Sequence, residues 1–65
     1  MNLKTKFLKI YANLSLNQRN EIVVVVDNEP LTWNSARIEV ENNTQKGKEI
    51  LEKLASLGII NEKTE

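Results

Sequence analysis

The feature that most constrains this chain is an unbroken run of β-branched residues, Ile22–Val26, which ends at the turn-forming residues Asp27 and Asn28. β-Branched side chains favour extended backbone, so the run predicts a β-strand. An antiparallel strand with one face exposed to solvent would alternate apolar and polar residues. This strand instead has apolar side chains on both of its faces. We therefore expect that both of its faces are covered.

Length and composition limit how such a strand can be stabilised. The chain has 65 residues, and a domain of that length buries only about 60% of the surface that its unfolded form exposes. Small domains commonly add a disulfide, a metal or a partner chain to a small core. Cysteine and histidine are both absent, which excludes disulfides and removes the commonest metal ligand and general base. Oligomerisation is the stabiliser that remains.

Two segments have the spacing of amphipathic helices. The first helix is predicted over residues 3–13, with Asn2 as its cap and an apolar arc of Leu3, Phe7, Ile10, Tyr11 and Leu14. The last helix is predicted from a cap within residues 42–44 to Gly58, with Ile50, Leu51, Leu54, Ala55 and Leu57 on its buried side. Gly47 lies on that buried side, which predicts a close approach to the sheet or to the first helix.

The segment between the two helices is predicted to be mostly β-structure. Ser15 and Gln18 have the spacing of a capping box and predict a short helical turn ending near Asn20. After the first strand, Asp27-Asn28 is a good two-residue hairpin turn, and Pro30 suits an edge or a strand end. Leu31 and Trp33 then share one side of the returning strand.

A further strand is suggested by Ala36, Ile38 and Val40, which alternate with Arg37, Glu39 and Glu41. Such alternation is typical of a half-buried strand. The sheet therefore has either two strands, the second of them bent, or three short strands. The fold class is α+β, with a helix, a β-hairpin or small antiparallel meander, and a helix (α-β-β-α order). These form a single two-layer domain over residues 1–60, followed by a frayed C-terminal tail over residues 61–65. Its predicted core is Leu3, Phe7, Ile10, Leu14, Ile22, Val24, Val26, Ile38, Ile50, Leu51, Leu54 and Leu57.

We expect no enzymatic activity, because no nucleophile, base and oxyanion donors assemble in the sequence. The carboxylate pairs Asp27 with Glu29 and Glu39 with Glu41 are typical of solvated charge. The segment 27–29 lacks the spacing of an EF-hand, so we expect no metal site and no cofactor. A small-molecule substrate is not indicated either.

A protein–protein contact is the predicted function, with the chain itself or another protein as partner and a homodimer through the sheet as the simplest case. If both helices cover one face of the sheet, Ile22, Val24 and Val26 point towards them, and Val23 with Val25 is left on the other face. The alternative is that the helices straddle the sheet. The candidate interaction residues are Val23, Val25, Thr32, Trp33 and Arg37, although Trp33, like Tyr11, is more readily a core residue.

Nucleic-acid binding is the alternative function. Residues 1–20 contain the basic Lys4, Lys6, Lys9 and Arg19 without an acid, and Lys6, Lys9 and Arg19 are the candidate contacts. The net charge of zero and the pI near 6.3 favour a protein partner instead. The N-terminal residues have no continuous hydrophobic stretch, so neither a signal peptide nor a membrane span is predicted, and the expected location is cytoplasmic.

Overall fold

In the computed structural model, which describes residues 2–60, helices pack against one face of a two-stranded antiparallel sheet. The elements in chain order are α1 (Leu3–Ala12), α2 (Leu16–Arg19), β1 (Ile22–Val26), β2 (Glu29–Thr32), α3 (Trp33–Glu41) and α4 (Gln45–Ser56). The α+β class and the α-β-β-α order are confirmed, with a hairpin rather than a meander. The predicted frayed tail, residues 61–65, lies outside the described residues.

The hairpin turn has the predicted position. Asp27 (φ 54°) and Asn28 (φ 67°) both have positive φ, as a two-residue type I′ turn requires. Val26 faces Glu29 across the turn, and Val25 then faces Pro30. Asparagine and aspartate tolerate this backbone region better than other non-glycine residues, which explains why these residues form the turn.

A β-bulge interrupts β1 and changes which side chains point inward. Ile22 pairs with Thr32 and Val24 with Leu31, so Val23 is an additional residue in the strand. Val23 packs against the core, whereas Ile22 is 61% exposed. The prediction that Ile22 is buried and Val23 is on the outer face was therefore wrong, because the bulge shifts the alternation by one residue.

The β-structure predicted from the alternation at residues 36–41 is wrong, both as a third strand and as the end of a bent second strand. The segment Trp33–Glu41 is a helix, and Thr32 caps it by accepting a hydrogen bond from the backbone N–H of Ser35. Residues four apart share a helix face, so Ala36 and Val40 are both buried. Ile38 lies on the opposite side and is 52% exposed, which corrects its place in the predicted core.

Helix α4 ends in a Schellman motif. Gly58 has φ 81°. The Gly58 N–H donates to the Ala55 carbonyl oxygen at 3.1 Å, and the Ile59 N–H donates to the Leu54 carbonyl oxygen at 3.0 Å. Leu57, predicted to be in the core, is exposed because it lies at the C-cap on the solvent side of the helix. Ile60, which the prediction omitted, returns to the core and is buried.

The core lies between the helices and one face of the hairpin. Its buried residues are Phe7, Val24, Val26, Leu31, Ala36, Val40, Ile50, Leu54 and Ile60. Within the predicted core, Leu3, Ile10 and Leu51 are half-buried against this cluster, and Leu14 is half-buried. No helix within residues 2–60 has the length and apolar character needed to cross a membrane.

Candidate interaction surface

Within residues 2–60, no helix covers one of the two faces of the hairpin. Val24, Val26 and Leu31 are buried beneath the helices. Residues that face each other across antiparallel strands lie on the same side of a sheet, and Val25 faces Pro30 while Ile22 faces Thr32. We call Ile22, Val25, Pro30 and Thr32 the outer face. Val25 is 49% exposed, and Ile22 and Pro30 are exposed as well.

The two edges of the hairpin differ in their capacity to accept another strand. In a two-residue hairpin Val26 and Glu29 are the hydrogen-bonded closing pair, so Val25 and Pro30 form the next, non-hydrogen-bonded pair. The backbone groups of Val25 and Pro30 therefore point away from the partner strand. Pro30 has no N–H, which weakens the β2 edge as a template for pairing, whereas Val25 retains its N–H and C=O on the β1 edge.

Acidic side chains flank this surface. Glu21 precedes β1 and Asp27 follows it, and residues 20–32 contain no lysine or arginine. Lys46 reaches the hairpin from α4 and pairs with Glu29, with Nζ 2.5 Å from Oε1. That hydrogen bond, together with the charges of Glu29 and Asp27, raises the pKa of Lys46. Neither Glu21 nor Asp27 makes a salt bridge in the described part of the chain.

The predicted interaction residues do not form one surface. Val25 and Thr32 lie on the outer face, but the Thr32 side chain is engaged as the cap of α3. Val23 packs against the core. Trp33 is half-buried and stacks on Phe7, with ring centroids 5.4 Å apart and planes inclined by 30°.

Arg37 belongs to a separate cluster around Tyr11 that joins α1, α2 and α3. The guanidinium carbon of Arg19 lies 4.4 Å from the centre of the Tyr11 ring and that of Arg37 lies 5.2 Å from it. The Tyr11 hydroxyl donates to Asn34 Oδ1 at 2.6 Å. Contact with Tyr11 and the charge of Glu41, whose Oε1 lies 2.6 Å from Arg37 Nη1, raise the pKa of Arg37. These contacts hold the helices together.

The basic residues of the nucleic-acid alternative are not all free to reach a ligand. Arg19 donates from Nε to the Tyr11 carbonyl oxygen at 3.2 Å while it stacks on the ring. Lys6 is half-buried and has an interaction of its own, and Lys9 is exposed. Nucleic-acid binding stays a prediction, and the geometry adds no observation in its favour.

Three of the four candidate carboxylates have partners elsewhere in the fold. Glu29 pairs with Lys46 and Glu41 with Arg37, and Glu39 accepts a hydrogen bond from the Thr44 hydroxyl at 2.6 Å. Asp27 lies in the hairpin turn. These contacts are structural, because they tie the hairpin to α4, span one turn of α3, and join α3 to the start of α4.

A shallow cleft of about 250 Å³ lies between the starts of α1 and α4, and Lys4, Lys48 and Leu51 contribute to its walls. Lys4 spans it, with Nζ 3.0 Å from Asn43 Oδ1. None of the outer-face residues lines this cleft, so the two surfaces are independent.

Comparison of the chain with protein-family models, with curated proteins and with solved structures gives no significant match in any of the three. The assignment of the candidate surface therefore rests on its geometry alone. Sequence reasoning missed Ile22 and Pro30 as members of the outer face. The exposure of Pro30 could have been predicted, because proline favours an exposed strand edge. The bulge that turns Ile22 outward could not, because no residue type in β1 indicates its position.

Proposed function

We propose that this protein is a non-catalytic interaction module that binds another polypeptide through the outer face of its hairpin. The observation that carries the proposal is the exposure of Ile22 and Val25 on a sheet whose other face is buried under helices. A contiguous apolar surface with a polar border is typical of a site where another protein docks.

The gain from covering this surface is large for so small a protein. Full burial of a valine or isoleucine side chain contributes about 1.5–3 kcal/mol, and Ile22 and Val25 are both already partly covered. Together they contribute about 2–3 kcal/mol. An isolated two-stranded hairpin is itself marginally stable, so a partner over its open face would stabilise the fold as well.

A photo-crosslinking amino acid placed at Val25 tests the proposal. In the cells that produce the protein, we expect a discrete covalent adduct, whose mass distinguishes a second copy of this chain from another protein. The matched control is the same group at Ile38, which is 52% exposed on α3 and outside the outer face. The proposal fails if Val25 yields no discrete adduct or only the adducts that Ile38 yields.

A substitution gives an independent measurement. Val25→Lys introduces a charge at the centre of the outer face and should abolish the adducts formed from a crosslinker at Ile22, while circular dichroism shows an intact fold. Val23→Lys is unsuitable for this purpose, because Val23 packs against the core. Ile38→Lys is the control, and adducts that persist in Val25→Lys would contradict the proposal.

A further inference from the structure

We infer that the outer edge of β1 accepts an extended segment of a partner protein as an additional antiparallel strand, and that this segment has apolar residues at its centre and Lys or Arg at both ends. The inference rests on the proposed function and specifies the partner's chemistry and its mode of binding.

The first step is the state of the backbone at Val25. Its N–H and C=O point away from β2, because Val25 and Pro30 are a non-hydrogen-bonded pair. Across residues 2–60, no backbone group outside the hairpin bonds to them. Their natural partner is another strand, since extended peptides bind exposed sheet edges through main-chain hydrogen bonds.

The second step is the asymmetry between the two edges. Natural sheets commonly protect their edges with proline or lysine. On β2, Pro30 occupies the outward-pointing position. On β1, residues 22–26 contain neither proline nor lysine. Strand addition is therefore directed to β1.

The third step is charge. Glu21 and Asp27 stand at the two ends of β1, and Lys46, which reaches the turn from α4, is paired with Glu29. An added antiparallel strand brings its own ends next to these carboxylates. Basic residues at both ends would form favourable cross-strand pairs, whereas acidic ones would repel.

The same charges disfavour a second copy of this chain. Antiparallel pairing of β1 with another β1 in the register centred on Val24 would bring Glu21 of one copy opposite Asp27 of the other at both ends of the pair. The edge groups would be satisfied, but in that register the four carboxylates would face one another in two like-charged pairs. A segment of another protein with basic ends would satisfy the backbone hydrogen bonds at Val25 and would also form favourable charge pairs with Glu21 and Asp27.

Two synthetic peptides test the inference. One has the sequence Lys-Val-Thr-Val-Thr-Val-Lys, and its matched control has Glu at both ends. We expect the lysine peptide to bind about tenfold more tightly than the glutamate peptide at low salt, because two charge pairs are reversed. Raising the salt concentration should reduce the difference. NMR titration gives both affinities, and hydrogen exchange should show slower exchange at the Val25 N–H.

Two variants separate the contribution of the acidic side chains from that of the backbone hydrogen bonds at the β1 edge. Glu21→Gln combined with Asp27→Asn removes both carboxylates while keeping a residue that tolerates the turn, and it should make the two peptides bind equally. Val25→Pro removes the outward N–H and should abolish binding of both peptides. If Val25→Pro does not fold, hydrogen exchange of the parent still tests the edge.

Four results would overturn the inference. They are equal affinities for the two peptides in the parent protein, no binding of the lysine peptide, an unprotected Val25 N–H in the bound state, and dimerisation of the parent through β1. Methyl shifts at Ile22 and Val25 without protection of the Val25 N–H would indicate docking on the outer face alone. In that case the proposed function would stand and strand addition would fail.

Discussion

Gly47 of α4 packs directly against the backbone of Glu39 in α3. A Cβ atom at position 47 would overlap the Glu39 carbonyl oxygen and would lie 2.7 Å from its carbonyl carbon and 3.1 Å from the Cα of Val40. Only glycine permits this approach, because the obstructing atoms are backbone and cannot rotate away. The sequence predicted a close approach here, but its partner is α3 rather than the sheet or the first helix.

Replacing Gly47 by Ala should therefore destabilise the protein. Alanine is the better helix former by about 1 kcal/mol, but separating α3 from α4 costs more, and we expect a net loss of about 1–3 kcal/mol in the free energy of unfolding. Urea denaturation measures it. Lys48→Ala, at the exposed next position of α4, is the control and should change stability little. A stabilised Gly47→Ala variant would show that the helices are not in contact at this point.

Leu54 and Leu57 form a matched pair for testing how α4 is docked. Leu54 is fully buried, whereas Leu57 is 57% exposed. We expect Leu54→Ala to cost about 2–5 kcal/mol and Leu57→Ala about 0.5 kcal/mol or less. Thermal and urea unfolding report both values. Equal losses in the two variants would mean that α4 is rotated from the described orientation.

Thr32 tests the assignment of α3 as a helix. Its Oγ1 accepts the Ser35 N–H at 3.1 Å and caps the first turn. Thr32→Ala should cost about 1 kcal/mol, while Thr32→Ser retains the hydroxyl and should cost only a few tenths. Chemical denaturation gives the stabilities, and NMR secondary shifts over residues 33–41 report the helix. Strand-like shifts in that segment would contradict the assignment.

The turn offers a test of backbone conformation. Asn28 has φ 67°, a region that costs most L-residues about 1–2 kcal/mol. Asn28→Ala should lose about that much stability, whereas Asn28→Gly should retain or slightly increase it. Equilibrium unfolding compares the two variants. A tolerated alanine would be inconsistent with a type I′ turn.

Local features of the sequence were sufficient for the first and last helices, the short turn after Ser15, the hairpin and the α+β class. Each depends on interactions within a few residues. The apolar arc that includes Phe7 predicts a helix face, Asp27-Asn28 permits positive φ, and Gly58 ends α4 in a left-handed conformation. The turn and the helix end act through local backbone conformation, and the apolar arc is visible in its spacing before its packing partner is known.

Helix α3 shows where local pattern was insufficient. Ala36, Ile38 and Val40 alternate as in a strand, yet Ala36 and Val40 also lie four residues apart, on one helical face. Trp33 continues that face, and its stacking on Phe7 together with the Thr32 cap favours the helix. Two periodicities fit the same residues, and packing against α1 and α4 selects between them.

The outer face likewise required the tertiary structure. The sequence determined that β1 has apolar side chains on both of its faces. One layer of helices can cover only one of these faces. The bulge at Val23 decided which side chains remain exposed, because one additional residue reverses the alternation and turns Ile22 outward. Pairing register is a property of two strands and of the helices packed on them, and it is not encoded in either strand alone.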